Sequence, residues 1–183
     1  TTKDANLYSP DGYTGTAASD IMGTDFDAVK AYLGDGYWLW RTPSQQMWQN
    51  IIDQCNWKWI TVKKVAEGDT SEENLDFDAS VWEVTKRDAD NKLIGLIYLP
   101  ITGYSGYDDN TGTYGKVKKA RCQYWTSTPC SSTAGGTEKA WAFETTYVTE
   151  SGSGNGHMTR QALNQCDRYN GFSIRPVLLK RKN

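Results

Sequence analysis

The chain has 183 residues, with 20 basic and 22 acidic side chains for a net charge of -2, and is only 38% hydrophobic although 13% of it is aromatic. That length suffices for one substantial domain that buries a core without help from metal or disulfides. Near-balanced charge removes any broad electrostatic attraction to nucleic acid or anionic membrane, and a single His excludes a tri-histidine metal centre.

In chain order, residues 1–23 are rich in Gly, Thr, Asp and Ser without sustained periodicity, so an extended lead-in is expected there and a single domain over 24–183. Thr at position 1, with no signal-peptide pattern, reads as a processed chain or a fragment. A short helix follows, with Thr24 as its cap, Phe26, Val29, Tyr32 and Leu33 on one face, and Gly34 at its C-cap. After the aromatic strand-like run Gly36 to Arg41 comes a second helix, from about Ser44 to Cys55. Met47, Trp48, Ile51, Ile52 and Cys55 form its apolar stripe, and either Thr42 or Ser44 can cap it. From Trp57 the period changes to two, which predicts a half-buried strand. Residues 66–80 carry six carboxylates and no base, a solvated loop without the Asp/Asn ladder and Gly of an EF-hand.

Val81 to Thr85 and Leu93 to Leu99 predict a hairpin around the polar turn Arg87 to Lys92. Leu93 to Leu99 is the most apolar segment, far short of a transmembrane helix, and is expected to be a central strand. Beyond Pro100 the Gly- and Tyr-rich stretches Gly103 to Tyr107 and Gly112 to Gly115 read as long packed loops, and Lys116, Lys118, Lys119 and Arg121 as a solvated basic patch. Strands are expected at Tyr124 to Thr128, Ala140 to Tyr147 and Phe172 to Leu179, with a long loop at 151–171. The fold class is α+β, two short helices with an antiparallel sheet and long irregular loops.

Four cysteines permit disulfides without requiring them at this size. Cys130 and Cys166, in loop-like settings, form the best-placed pair, whereas Cys55 on an apolar helix face reads as a buried thiol. No P-loop, no G-x-G-x-x-G and no G-x-S-x-G occurs, and His157 in its Gly-rich surroundings would hold a general base poorly. Surface recognition is the reading that remains. Trp and Tyr side chains on strand edges and loops offer stacking and hydrogen bonds at small entropic cost. The candidate ligand-binding residues are Trp141, Glu144, Tyr147, His157, Arg160, Asp167, Arg168, Tyr169 and Asn170. No catalytic residue, metal ligand or cofactor is expected.

Several strings, taken in order, carry a resemblance. They are Trp40-Arg41-Thr42-Pro43-Ser44 running into Trp48, Asn56-Trp57, Tyr98-Leu99-Pro100, Gly103-Tyr104, Tyr124-Trp125-Thr126-Ser127-Thr128, Ala140-Trp141, and Asn170-Gly171-Phe172-Ser173-Ile174-Arg175-Pro176-Val177. Together they resemble the Fibrobacter succinogenes major paralogous domain family of bacterial surface and lipoprotein modules. The resemblance implies a C-type lectin-like fold, in which Arg175 and the Tyr124-Trp125 pair brace the loops. A closely similar tail occurs in the variable proteins of diversity-generating retroelements. The implied function is an exported recognition or adhesion module on the bacterial surface, with a protein or carbohydrate ligand and no nucleic acid. The sequence departs from the calcium-dependent lectins of that fold. Its nearest proline tripeptide is Thr128-Pro129-Cys130, and Trp141 is followed by Ala142 and Phe143, so binding is expected to be calcium-independent. Two alternatives are a formylglycine-generating-type oxidase working through Cys122 and Cys166, which lack a recognisable copy of that motif, and a fimbrial tip or structural surface subunit.

Overall fold

The computed structural model describes residues 22, 27–34, 38–61, 80–108, 113–117, 121–130, 139–149, 156–167 and 170–181. All of the lead-in 1–23 except residue 22, the expected helix residues Thr24 and Phe26, and nearly all of the acidic segment 66–80 therefore lie outside the described residues.

A buried carboxylate organises the first elements. Asp27 caps α1 (Ala28–Leu33), its Oδ1 accepting from Val29 N at 2.9 Å and Lys30 N at 3.4 Å. The same carboxylate accepts from Thr42 N at 3.2 Å and Thr42 Oγ1 at 2.7 Å. Asp27, rather than Thr24, is thus the helix cap. With only six residues to follow, α1 turns Val29 inward and leaves Tyr32 and Leu33 on the surface, against the expected single apolar face. Gly34, at φ 71°, closes the helix as predicted.

Because Thr42 is bound to Asp27, it is Ser44 that caps α2 (Gln45–Gln54), its Oγ accepting from Met47 N at 3.2 Å. The corner between β1 (Trp38–Arg41) and α2 is held from the other side as well. Pro43 O accepts from Ser127 N at 2.9 Å, and Gln45 N donates to Thr128 Oγ1 at 3.0 Å.

The remaining elements are antiparallel strands. A three-stranded sheet runs β2 (Asn56–Ile60), β3 (Val81–Arg87), β4 (Leu93–Pro100). A second sheet has the order β10 (Ala162–Asp167), β8 (Lys139–Thr149), β7 (Arg121–Pro129), with β9 (Gly156–Met158) on the far half of β8. β5 (Tyr104–Asp108) pairs with β6 (Thr113–Val117), and β1 pairs with β11 (Val177–Arg181). The fold is therefore α+β, with mostly strands and two helices among the described residues.

α2 lies across the inner face of the β10-β8-β7 sheet. Its buried Trp48 stacks on Phe143 of β8, with ring centroids 4.6 Å apart and planes at 15°, and on Tyr124 of β7 at 5.8 Å. Trp57 of β2 stacks on Phe143 at 5.5 Å and meets Trp82 of β3 edge-on at 5.7 Å. Trp57 and Trp59 alternate with exposed Asn56 and Lys58, as the period of two predicts. One aromatic layer thereby joins the helix to both larger sheets.

Four expectations are corrected. Among the described residues β4 is an edge strand, not a central one: Leu99 is buried but Ile94, Leu96 and Tyr98 face outward. An apolar run suits a buried strand, yet the run cannot say how many neighbours the strand will have. The Gly- and Tyr-rich stretch after Pro100 forms the β5–β6 hairpin, and the expected loop 151–171 contains β9 and β10. Both segments are polar strands whose pairing is set by a neighbour, which local composition does not encode. Finally, all four cysteines are free thiols. Cys166 pairs with Ala140 of β8, and Cys130 N bonds to Lys139 O on the opposite edge of the same strand. Two strand spacings, about 10 Å, separate their backbones, beyond the ~7 Å a disulfide spans.

The Asp27–Thr42 contact gives a direct prediction. Asp27→Ala and Thr42→Val are each expected to cost about 2 kcal/mol in chemical denaturation. The double variant should cost clearly less than the sum, since each partner's loss removes the same bonds. Additive losses would show that the carboxylate does not join α1 to the β1–α2 corner.

Candidate functional site

In a strand, successive side chains alternate between faces, so the residue after a core residue must point the other way. On β8, Phe143 and Thr145 are fully buried on the α2 side, which turns Glu144 and Thr146 to the opposite face. The register carries this across the sheet. Gln123 and Arg121 of β7 lie opposite Glu144 and Thr146, and Asn164 of β10 lies opposite Ala142. Five polar side chains thus share one face of a sheet whose other face is the core.

They interact. Arg121 Nη1 meets Glu144 Oε1 at 3.2 Å, with side chains 33% and 17% exposed. Thr146 Oγ1 donates to the same oxygen at 3.4 Å, and Asn164 Nδ2 donates to Glu144 Oε2 at 3.2 Å. Beneath them sits Gln123, only 2% exposed, whose Oε1 has no partner. Arg121 Nε is likewise buried without one. Gln123 and Arg121 are two residues apart on β7, so both unpartnered atoms belong to the same face of the strand. Leaving such groups unsatisfied costs about 1–3 kcal/mol each.

One end of this face is bounded by aromatic rings. Trp125 continues the row of Arg121 and Gln123, stacks on Phe172 at 4.5 Å and donates through Nε1 to Asn170 O at 3.2 Å. Tyr104 meets Phe172 edge-on at 5.5 Å. Ser105 and Gly171 exchange backbone bonds of 3.2 and 2.6 Å, which bring β5 onto this wall. Gly106 is needed there, because a Cβ would sit 2.5 Å from Tyr104 Cε2 and 3.3 Å from Asn170 Oδ1.

The thiols are poorly suited to chemistry. Burial first, then the negative Glu144, Asp167 and Cys130, push the Cys166 thiol up to about 12 against the pull of Arg121. Burial also raises Cys55, Cys130 and, most strongly, Cys122. Among the described residues no group of three His, Cys, Asp or Glu could hold a metal ion. The arrangement is equipped for hydrogen bonding and stacking.

The nine sequence-predicted residues do not form one cluster. Glu144 is at its centre, and Asn170 supports the aromatic wall through its backbone carbonyl. Trp141 and Tyr147 share the strand face of Phe143, and Tyr147 packs against the core. His157 and Arg160 are exposed, His157 on β9 opposite Val148. Asp167 ends β10 opposite Lys139, where its charge reaches Cys166. Arg168 and Tyr169 lie outside the described residues. Arg121, Gln123, Thr146 and Asn164 were missed. Arg121 instead looked like part of a solvated basic patch, although alternation of Arg121, Gln123 and Trp125 with Cys122 and Tyr124 marks two faces in the sequence itself.

Comparison with protein-family models, with curated proteins and with solved structures finds no match for this chain. Among the described residues no helix is long and apolar enough to cross a membrane.

Since thiolate is the reactive form, a raised pKa slows alkylation. At pH 8, Cys166 in the folded protein is expected to react with iodoacetamide at least ~100-fold more slowly than the unfolded chain. Glu144→Gln removes a negative neighbour and should speed that reaction, read by peptide mass mapping. An unchanged rate would place Glu144 away from Cys166.

Proposed function

We propose that this chain is a non-enzymatic recognition module, exported to the bacterial surface, that binds a protein or carbohydrate ligand on the face formed by Arg121, Gln123, Glu144, Thr146 and Asn164. The observation that carries this reading is the polar cluster on the β10-β8-β7 sheet, where Arg121, Thr146 and Asn164 converge on the Glu144 carboxylate. Side chains on strands backed by a packed core lose little order on binding, which favours affinity and permits substitution without unfolding. The aromatic wall of Trp125, Phe172 and Tyr104 supplies a stacking edge beside it.

The resemblance to the Fibrobacter succinogenes major paralogous domain family supports a C-type lectin-like scaffold, here calcium-independent, and extends the reading to the variable protein of a diversity-generating retroelement. In that case a reverse transcriptase and an imperfect repeat differing at adenines lie beside the gene. A thiol-dependent oxidase draws less support. Cys122 lies on the core face of β7 and Cys166 on the opposite face of the sheet, so the two thiols do not meet.

The test uses the chain displayed as a streptavidin tetramer, screened against immobilised glycans and extracellular proteins. For any ligand selected, Glu144→Ala combined with Asn164→Ala is expected to weaken binding at least ~30-fold while the melting temperature moves by less than about 4 °C. Retained binding in that variant would contradict the assignment of the face. A joint collapse of binding and stability would make these residues scaffold.

A further inference from the structure

A strand at the edge of a sheet presents a row of unpaired N–H and C=O groups, and edges are ordinarily blunted with charge, proline or a covering segment. Among the described residues β4 pairs only with β3. From Leu93 to Leu99 it carries no charge, and its outward row Ile94, Leu96 and Tyr98 is 56%, 45% and 45% exposed. The opposite edge of the same sheet is protected, since β2 presents exposed Asn56 and Lys58. The unguarded edge is therefore particular to β4.

We propose that two copies of this chain associate through β4, pairing antiparallel about a two-fold axis at Leu96. The strand is complementary to itself in that register. Ile94 falls opposite the Tyr98 position of the second copy, and Leu96 opposite its own equivalent, so three outward side chains from each copy merge into one apolar strip. The ladder also stops in the same way at both ends, because Lys92 meets Pro100, which has no N–H to donate. A polar or charged strand would set hydrophilic side chains beside Ile94, Leu96 and Tyr98, whereas a second copy sets apolar ones there, which favours a second copy as the occupant. A single strand edge with one row of side chains covers less than the ~800 Å² per partner of a standard interface, so the association is weak and concentration-dependent. Joining two recognition faces in this way would raise avidity for a multivalent surface. The inference stands on β4 alone and survives failure of the recognition reading.

Sedimentation of the whole chain from about 1 µM to about 1 mM is expected to pass from monomer to dimer, and Leu96→Lys should remain monomeric throughout with an unchanged melting temperature. Leu96→Cys under mild oxidation should cross-link to itself at least ~10-fold faster than Lys58→Cys on the other edge or the wild-type chain. A wild-type chain that stays monomeric, Leu96→Lys that still dimerises, or cross-linking of Leu96→Cys no faster than Lys58→Cys would each overturn the proposal.

Discussion

Phe143 makes the contact on which the rest of the structure depends. Its ring is stacked on Trp48 of α2 and on Trp57 of β2, at 4.6 and 5.5 Å, so one side chain joins the helix and both larger sheets. A fully buried aromatic ring is worth several kcal/mol, and aromatic neighbours add about 0.5–1.5 kcal/mol per well-placed pair. The core and the polar face are then two consequences of a single pleat. With Phe143 fixed inward, Glu144 must point out, and Thr145, whose Oγ1 donates to Thr159 O at 2.8 Å, must point in again.

That coupling explains how the packed core positions a cluster of polar groups on the other face of the sheet. Glu144 is partly desolvated, yet three donors converge on its carboxylate, from Arg121, Thr146 and Asn164. Solvent-exposed ion pairs contribute about 0.2–1 kcal/mol, and at 33% and 17% exposure this one also bears a desolvation cost, so its value lies in orientation more than in stability. The uncompensated groups are the ones below. Gln123 Oε1 and Arg121 Nε are buried without a partner, and the packed sheet around them carries that cost.

The sequence made legible those features that follow from local period and chemistry. The stripe on α2, the alternation of Trp57 and Trp59, the β3–β4 hairpin and the Gly34 cap all express spacing or backbone geometry that neighbouring residues dictate. Features that depend on distant partners were not legible. Asp27 displaced Thr24 as a cap because Thr42, far along the chain, supplies two more donors to it. Ala162 to Asp167 reads as polar loop because its strand character comes from pairing with β8. The same limit applies to the candidate site. Glu144 was recognisable as a charged residue in a strand, but its partners come from β7 and β10, and only the register of three strands brings them together. Trp141 and Tyr147 lie on the strand face of Phe143 and not on that of Glu144, a parity that residue type alone does not reveal because aromatic residues suit core and interface alike.

The division of β8 into a core face and a polar face is tested most directly by comparing adjacent substitutions in chemical denaturation. Phe143→Ala is expected to cost about 4 kcal/mol and Glu144→Ala no more than about 1 kcal/mol, a difference that one step along the strand should produce only if the two side chains face opposite environments. Equal losses at the two positions would contradict the account.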